Sequence, residues 1–250
     1  MHIHDAVVLV TGANRGIGSA LVTAFLERGA ARVHATARDP ETLAAVTARD
    51  PERVLPLALD VTDPDSVAAA ALAAPDVTLL VNNAGVALMG HLLEMDLGAV
   101  ETVMNTNWLG TLRALRAFVP VIERNGGGAV VNVVSIGAFG GTPSMGGYPA
   151  SKAALNSLTQ AVRPDLAPRG ITVHAVYPGP VDTDMLRLST PALPALGDMP
   201  RATPADVARA VVDGVEAGAE DIFPDPFAEQ IGEAWRRDPK GVERQLVGLE

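Results

Sequence analysis

The chain has 250 residues and no cysteine. That absence removes a disulfide framework, a thiol nucleophile and cysteine-ligated zinc from consideration. Positive charge is scarce too: 19 Lys and Arg face 29 Asp and Glu, for a formal charge of -10. Nucleic-acid binding rests on a basic face, so this balance argues against that class of partner. Residues 1–5 carry no positive cluster, and the apolar run 6–10 is too short for the core of a secretion signal. No apolar run reaches the roughly 20 residues that a membrane span needs. The expectation is a cytoplasmic protein that meets neither membrane nor nucleic acid. Repeats, low-complexity tracts and linkers are also missing, so 1–250 reads as one domain.

What is present is apolar and periodic. Hydrophobic residues make up 48% of the chain, enough for a sizeable core without staples. Short β-branched runs at 7–10, 32–36, 54–59, 77–81, 129–134, 172–177 and 221–223 alternate with longer alanine-rich amphipathic stretches. Most runs are continuously apolar, as in strands covered on both faces by helices. Asp39-Pro40, Asp63-Pro64 and Thr203-Pro204 each set a capping side chain before a proline, and Asp206 is placed to complete a capping box with Thr203. The pattern predicts an α/β fold with a doubly wound, Rossmann-type parallel sheet of seven strands flanked by helices in three layers. Residues 186–200 hold three prolines without a period and read as a loop, which makes 185–203 a candidate substrate lid.

Directly after the first run comes Thr11-Gly12-Ala13-Asn14-Arg15-Gly16-Ile17-Gly18, followed by a helical stretch. Glycine serves two needs there: backbone angles that a Cβ penalises, and close approach of a pyrophosphate to main-chain N–H groups. The helix start behind it offers unpaired donors and a favourable dipole to an anion. The spacing is G-x-x-x-G-x-G, without the Gly-Lys-Ser/Thr ending of a nucleoside-triphosphate loop.

Tyr148-Pro149-Ala150-Ser151-Lys152 opens another helical stretch, and a separation of four puts Tyr148 and Lys152 on one face. A free phenol titrates near pH 10, and a neighbouring ammonium stabilises the phenolate and lowers that value. Tyr148 thereby becomes a candidate general acid for a carbonyl oxygen, or base for an alcohol. Ser135 follows the run 129–134, at the end of a strand where open parallel sheets place ligands, and its hydroxyl suits a substrate oxygen whose charge changes.

With these motifs in this order, joined by Asp60-Val61, Asn82-Asn83-Ala84-Gly85, Asn107 and Pro178-Gly179, the chain resembles the short-chain dehydrogenase/reductase family over essentially its full length. The resemblance implies hydride transfer between nicotinamide and a carbonyl/alcohol pair, with Asn107, Ser135, Tyr148 and Lys152 as the catalytic set. Asn107 would help hold a water in a proton relay, and Lys152 would bind ribose hydroxyls as well as tune Tyr148. The dinucleotide would lie along Gly12, Asn14, Arg15, Gly16, Ile17 and Gly18, with Asp60 and Val61 bordering adenine. Asn83, Ala84 and Gly85 would support it, and Pro178, Gly179, Val181 and Thr183 would meet its nicotinamide end. Family members often form dimers or tetramers through two long helices, here near 97–119 and 148–166, so a homodimer or homotetramer is expected.

An acid at the end of the second strand would select NAD. Here Ala37 stands at that position, Arg38 follows it, and Arg15 lies in the glycine turn. Two guanidiniums converging on a 2′-phosphate favour NADP(H), and Asp39 is better explained as the cap before Pro40. Leu88, Met89, Met145, Met185 and Leu186 point to a substrate with an apolar body. The histidines form no metal-ligand pattern. Two other classes compete: a non-catalytic dinucleotide-binding redox sensor, against which the complete catalytic set argues, and a nucleotide-sugar epimerase, for which about 65 residues after Thr183 leave too little substrate domain.

Overall fold

The apolar runs become seven strands: β1 (Val7–Val10), β2 (Arg32–Ala37), β3 (Val54–Ala58), β4 (Leu79–Asn82), β5 (Gly128–Val133), β6 (Ile171–Val176) and β7 (Asp221–Ile222). In this computed structural model, which describes residues 1–189 and 199–247, they form one sheet in the order β3-β2-β1-β4-β5-β6-β7. Every pairing is parallel. The helices are α1 (Gly16–Glu27), α2 (Ala44–Thr47), α3 (Pro64–Ala73), α4 (Leu97–Met104), α5 (Gly110–Arg124), α6 (Tyr148–Leu166), α7 (Asp184–Ser189), α8 (Pro204–Ala217), α9 (Pro226–Arg237) and α10 (Pro239–Val247). No helix among the described residues is long and apolar enough to cross a membrane.

Strand alternation divides the core into two layers. Val8, Val10, Leu79, Val81 and Val131 face α1 and α8, packing with Leu21, Phe25, Val207 and Val211. Leu9, Leu80 and Val130 face the other way, onto Val67 of α3 and Ala114 and Phe118 of α5. Full burial of a side chain such as Phe118 contributes about 1.5–3 kcal/mol. A third cluster joins Phe139 and Tyr177 to Ala228, Ile231 and Val242 of α9 and α10.

The caps are local. Asp39, Asp63 and Thr203 accept backbone N–H bonds from Glu41, Asp65 and Asp206. The box at Thr203 closes differently from the expected pattern, since the Asp206 carboxylate accepts from the Thr203 hydroxyl at 2.6 Å. The helix expected over 97–119 runs to Arg124 and is interrupted by a π turn, Asn105–Leu109, which carries Asn107. The expected loop over 186–200 is corrected at its start, because residues 184–189 are helical. Leu186 is buried there, and Arg187 pairs with Asp184 one turn back. Residues 190–198 of the expected lid lie outside the described residues.

Strand order steps one way from β1 to β3 and then returns to place β4 on the other side of β1. At such a reversal, loops leaving adjacent strand ends diverge and open a crevice. The glycine turn, the Asn83–Gly85 segment and Ser135 leave β1, β4 and β5 on that edge.

Candidate active site

The crevice is a cleft of about 1010 Å³. One wall is made by leaving side chains out. Gly12 and Gly16 have φ of +65° and +55°, a region that a Cβ disfavours. At Gly18 a Cβ would lie 2.2 Å from the Gly12 carbonyl oxygen and 2.6 Å from Asn83 Nδ2. The Thr11 hydroxyl accepts from the backbone N–H groups of Asn83 and Ala84, both at 2.9 Å, and Asn83 Nδ2 donates to the carbonyls of Thr11 and Gly12. These bonds stitch together the loops on either side of the reversal. Arg15 stands at the N-cap of α1 without a side-chain cap, so the first amide donors of that helix are left to another acceptor. A glycine cradle beside an uncapped helix start fits a dinucleotide pyrophosphate. Asn14, Ile17, Ala84 and Gly85 also line this wall.

Ala37, Arg38, Asp60 and Val61 line the next stretch, together with Thr42 and Thr62. Asp39 is occupied as a cap, as its place before Pro40 implies. Burial pushes the Asp60 carboxyl up, but bonds from Thr62 and the Arg38 charge outweigh it and hold the group below its ordinary value. Val61 packs where a Cβ on Gly110 would stand 2.7 Å from its methyl. Arg15 and Arg38 both border the cleft. Arg15 turns to Asp184, with Nη1 3.5 Å from its carboxylate, because the start of α7 sits over the glycine turn.

The chemistry gathers where α6 begins. Ser135 ends the β5 segment with its Oγ accepting the Gly137 N–H at 3.0 Å, and its hydroxyl stands near enough to the Tyr148 phenol to favour the phenolate. Lys152, one turn on, is buried; Nζ donates to the Val133 carbonyl at 2.8 Å and lies 5.6 Å from the centre of the Tyr148 ring. Burial lowers Lys152 to about 8. The expected lowering of Tyr148 by Lys152 is not what the protein's own groups produce. Burial raises the phenol above its ordinary value, and the Ser135 hydroxyl offsets this only in part.

Asn107 is fully buried: Oδ1 accepts from Val86 N–H at 2.8 Å, and Nδ2 donates to the Val86 carbonyl and to Ser151 Oγ. Ser151 in turn donates to the Tyr148 carbonyl at 2.7 Å. Gly85 leaves space beside both groups, since a Cβ there would lie 3.2 Å from Asn107 Oδ1 and 3.7 Å from Lys152 Nζ.

Pro178, Gly179, Val181 and Thr183 line the far end. Sequence reasoning missed Asp225, which is buried, accepts the Gly179 N–H at 2.9 Å and caps α9 through Ala228 N–H. Its signal was available, because Asp225-Pro226 repeats the Asp-Pro pattern recognised at 39–40 and 63–64. Beyond it Met89, Met145, Met185 and Leu186 line the cleft as expected, joined by Met199 and Phe227, while Leu88 stays on the exposed rim. Gln245 and Leu246 of α10 also line it, so the C-terminal segment closes this end of the site. Gly140 permits that approach, since a Cβ there would meet the Leu246 methyl at 2.9 Å.

A family model described as short chain dehydrogenase matches residues 6–193. Among curated proteins, the short chain dehydrogenase pigC of Monascus ruber is 35% identical over 192 residues, covering 72% of this chain and 63% of that protein. Among solved structures, a short chain dehydrogenase from Burkholderia cenocepacia J2315 in complex with NADP is 39% identical, covers 98% of this chain and 99% of its own, and superposes with a TM-score of 0.89. A second, from Burkholderia phymatum in complex with NAD, is 24% identical, covers 96% of each chain, and at a TM-score of 0.85 shares the fold.

Proposed function

The chain belongs to the short-chain dehydrogenase family of oxidoreductases, and from that premise we propose that it is an NADP(H)-dependent carbonyl reductase or alcohol dehydrogenase. One observation carries this reading: the phenol of Tyr148, beside Ser135 and above a buried Lys152, lines the same cleft as the glycine cradle. Bound nicotinamide supplies the hydride for reduction, or accepts it in the reverse direction. The protein's own groups keep Tyr148 protonated near neutrality, which is the form that donates to a carbonyl oxygen. Ser135 orients that oxygen and bears part of the charge that develops on it. Lys152 resupplies the proton and binds ribose hydroxyls. Asn107 holds α6 in place through Ser151 and stands beside the relay.

Selection of NADP(H) is supported by what β2 lacks. Ala37 ends that strand without a carboxylate to repel a 2′-phosphate, and Arg38 lines the cleft next to it. The methionine-lined end favours an apolar substrate body, because unbranched thioethers adapt to varied shapes. We read 185–203 as a substrate lid that starts at α7. The exposed Leu97 on α4 supports a homo-oligomer built on the α4–α5 and α6 faces, and the lack of cysteine agrees with a cytoplasmic setting.

The decisive variant is Tyr148→Phe, assayed against a ketone panel with NADPH. Turnover is expected to fall roughly 10²- to 10⁴-fold, the usual worth of positioned acid–base catalysis. NADPH binding, followed by fluorescence titration, is expected to persist. Turnover that survives in the variant would remove Tyr148 from its role and the reading with it.

A further inference from the structure

Two features bolt the start of α7 to the glycine turn. Thr183 lies on Gly16, where a Cβ would come within 3.2 Å of its methyl, and the next residue, Asp184, pairs with Arg15. Asp184 also pairs with Arg187 at 2.7 Å, and Arg187 reaches Asp182 at the same distance. The Arg187 bond is the largest influence holding the Asp184 carboxyl below its ordinary value, so Asp184 is charged throughout the neutral range. The four groups form a chain of alternating sign, of which Arg15 and Asp184 line the cleft.

We propose that Asp184 sets the discrimination between phosphorylated and unphosphorylated adenine ribose by competing for Arg15, and thereby links the seating of α7 to the dinucleotide that is bound. The proposal rests on the NADP(H) reading above. A guanidinium forms bidentate, charge-assisted bonds to phosphate, and a phosphate monoester carries close to two negative charges at neutral pH. The existing ion pair is half exposed and 3.5 Å long, the kind of pair that contributes little. A 2′-phosphate within reach of Arg15 therefore draws it away from Asp184. Freed from Arg15, α7 keeps Thr183 on Gly16 and its internal Arg187 pairs, but loses its charge tie to the cofactor wall. Linkage is reciprocal: what loosens α7 favours the phosphorylated ligand, and the phosphorylated ligand loosens α7.

The test reads binding of the adenine end alone. Adenosine 2′,5′-bisphosphate and AMP are titrated calorimetrically into the wild type, Asp184→Asn, Arg15→Ala and the double variant. Asp184→Asn is expected to tighten the bisphosphate roughly three- to five-fold, the scale of one partly screened charge contact, and to leave AMP within about two-fold. In the Arg15→Ala background the same substitution is expected to have no effect on the ratio, because the competitor has lost what it competes for. Equal tightening of both ligands, or the full gain without Arg15, would overturn the proposal. A wild type that does not distinguish the two ligands defeats the NADP(H) reading itself. One that distinguishes them, with a ratio unmoved by Asp184→Asn, defeats only the role of Asp184.

Discussion

The two halves of the cleft are built by opposite means. The dinucleotide half, around β1 and α1, works by exclusion: Gly12, Gly16 and Gly18 stand where a side chain would collide or strain, and backbone groups are left to face the cleft. The catalytic half, around β5 and α6, works by insertion: Asn107, Ser151 and Lys152 push polar groups into the interior and satisfy them against one another and against backbone carbonyls. The same insertion continues deeper, where Asn82 donates to Asn132 across paired strands and Asn132 donates to Thr159. Exclusion fails by steric clash, whereas insertion stores an electrostatic cost that varies with pH.

The largest effect is expected from Gly18→Ala. Its Cβ would sit 2.2 Å from the Gly12 carbonyl oxygen, a backbone atom that cannot rotate aside. The turn must open, and dinucleotide affinity is expected to fall more than about 100-fold, with roughly 1–3 kcal/mol of stability lost as in other overpacked sites. Fluorescence titration and urea denaturation give the two numbers. Affinity within a few-fold of the wild type would show that the turn is softer than exclusion requires.

The difference between the halves also decides what the sequence reveals unaided. The glycine turn, the strand runs and the Asp-Pro caps are local patterns, and each takes its predicted place. Tyr148 and Lys152 are legible because both lie on one helix. The direction in which the Tyr148 phenol moves is not, because it depends on burial by the surrounding fold, which no spacing reveals. Arg15 reads as a phosphate ligand from its own neighbourhood, while its partner Asp184 is 169 positions away in the chain. Gln245 and Leu246 reach the cleft through packing against Gly140, a contact without any local signature.

Insertion carries a measurable charge cost at Lys152. Its pKa falls from 10.5 to about 8, so below pH 8 the folded protein holds a buried ammonium that the unfolded chain solvates freely. As pH rises from 8 toward 10.5 both states become neutral and the penalty disappears. Lys152→Met removes the titrating group, and its constant losses cancel when only the pH dependence is compared. The stability of the wild type relative to Lys152→Met is expected to climb by about 2–3 kcal/mol between pH 7 and pH 10, since each pH unit over which only the unfolded chain holds the proton contributes about 1.4 kcal/mol. A difference that stays flat across that range would mean the lysine is solvated, and the contrast between the halves would weaken.

The smallest expected effect tests whether the contrast extends below the cleft, where each half holds one buried histidine. His34 on β2 faces Asp76 at 3.1 Å, with Arg32 beside the same carboxylate; His174 on β6 bonds the Ala219 carbonyl at 2.6 Å and Thr172 at 3.1 Å, with Arg163 and Glu220 nearby. Burial lowers both below the ordinary imidazole value. The sign follows directly: as pH falls through about 6.5 the unfolded chain takes up protons before the folded one, so stability is lost toward acid, by at most about 1.4 kcal/mol per pH unit for each histidine. Protonated His34 gains a carboxylate partner, whereas protonated His174 gains only a neutral carbonyl and a hydroxyl. His174→Gln is therefore expected to flatten the urea-measured stability profile between pH 7 and pH 5 more than His34→Gln does. If His34→Gln flattens it more, the Asp76 carboxylate does not shield its half from acid, and buried titratable groups are no more costly around the catalytic strands than around the dinucleotide strands.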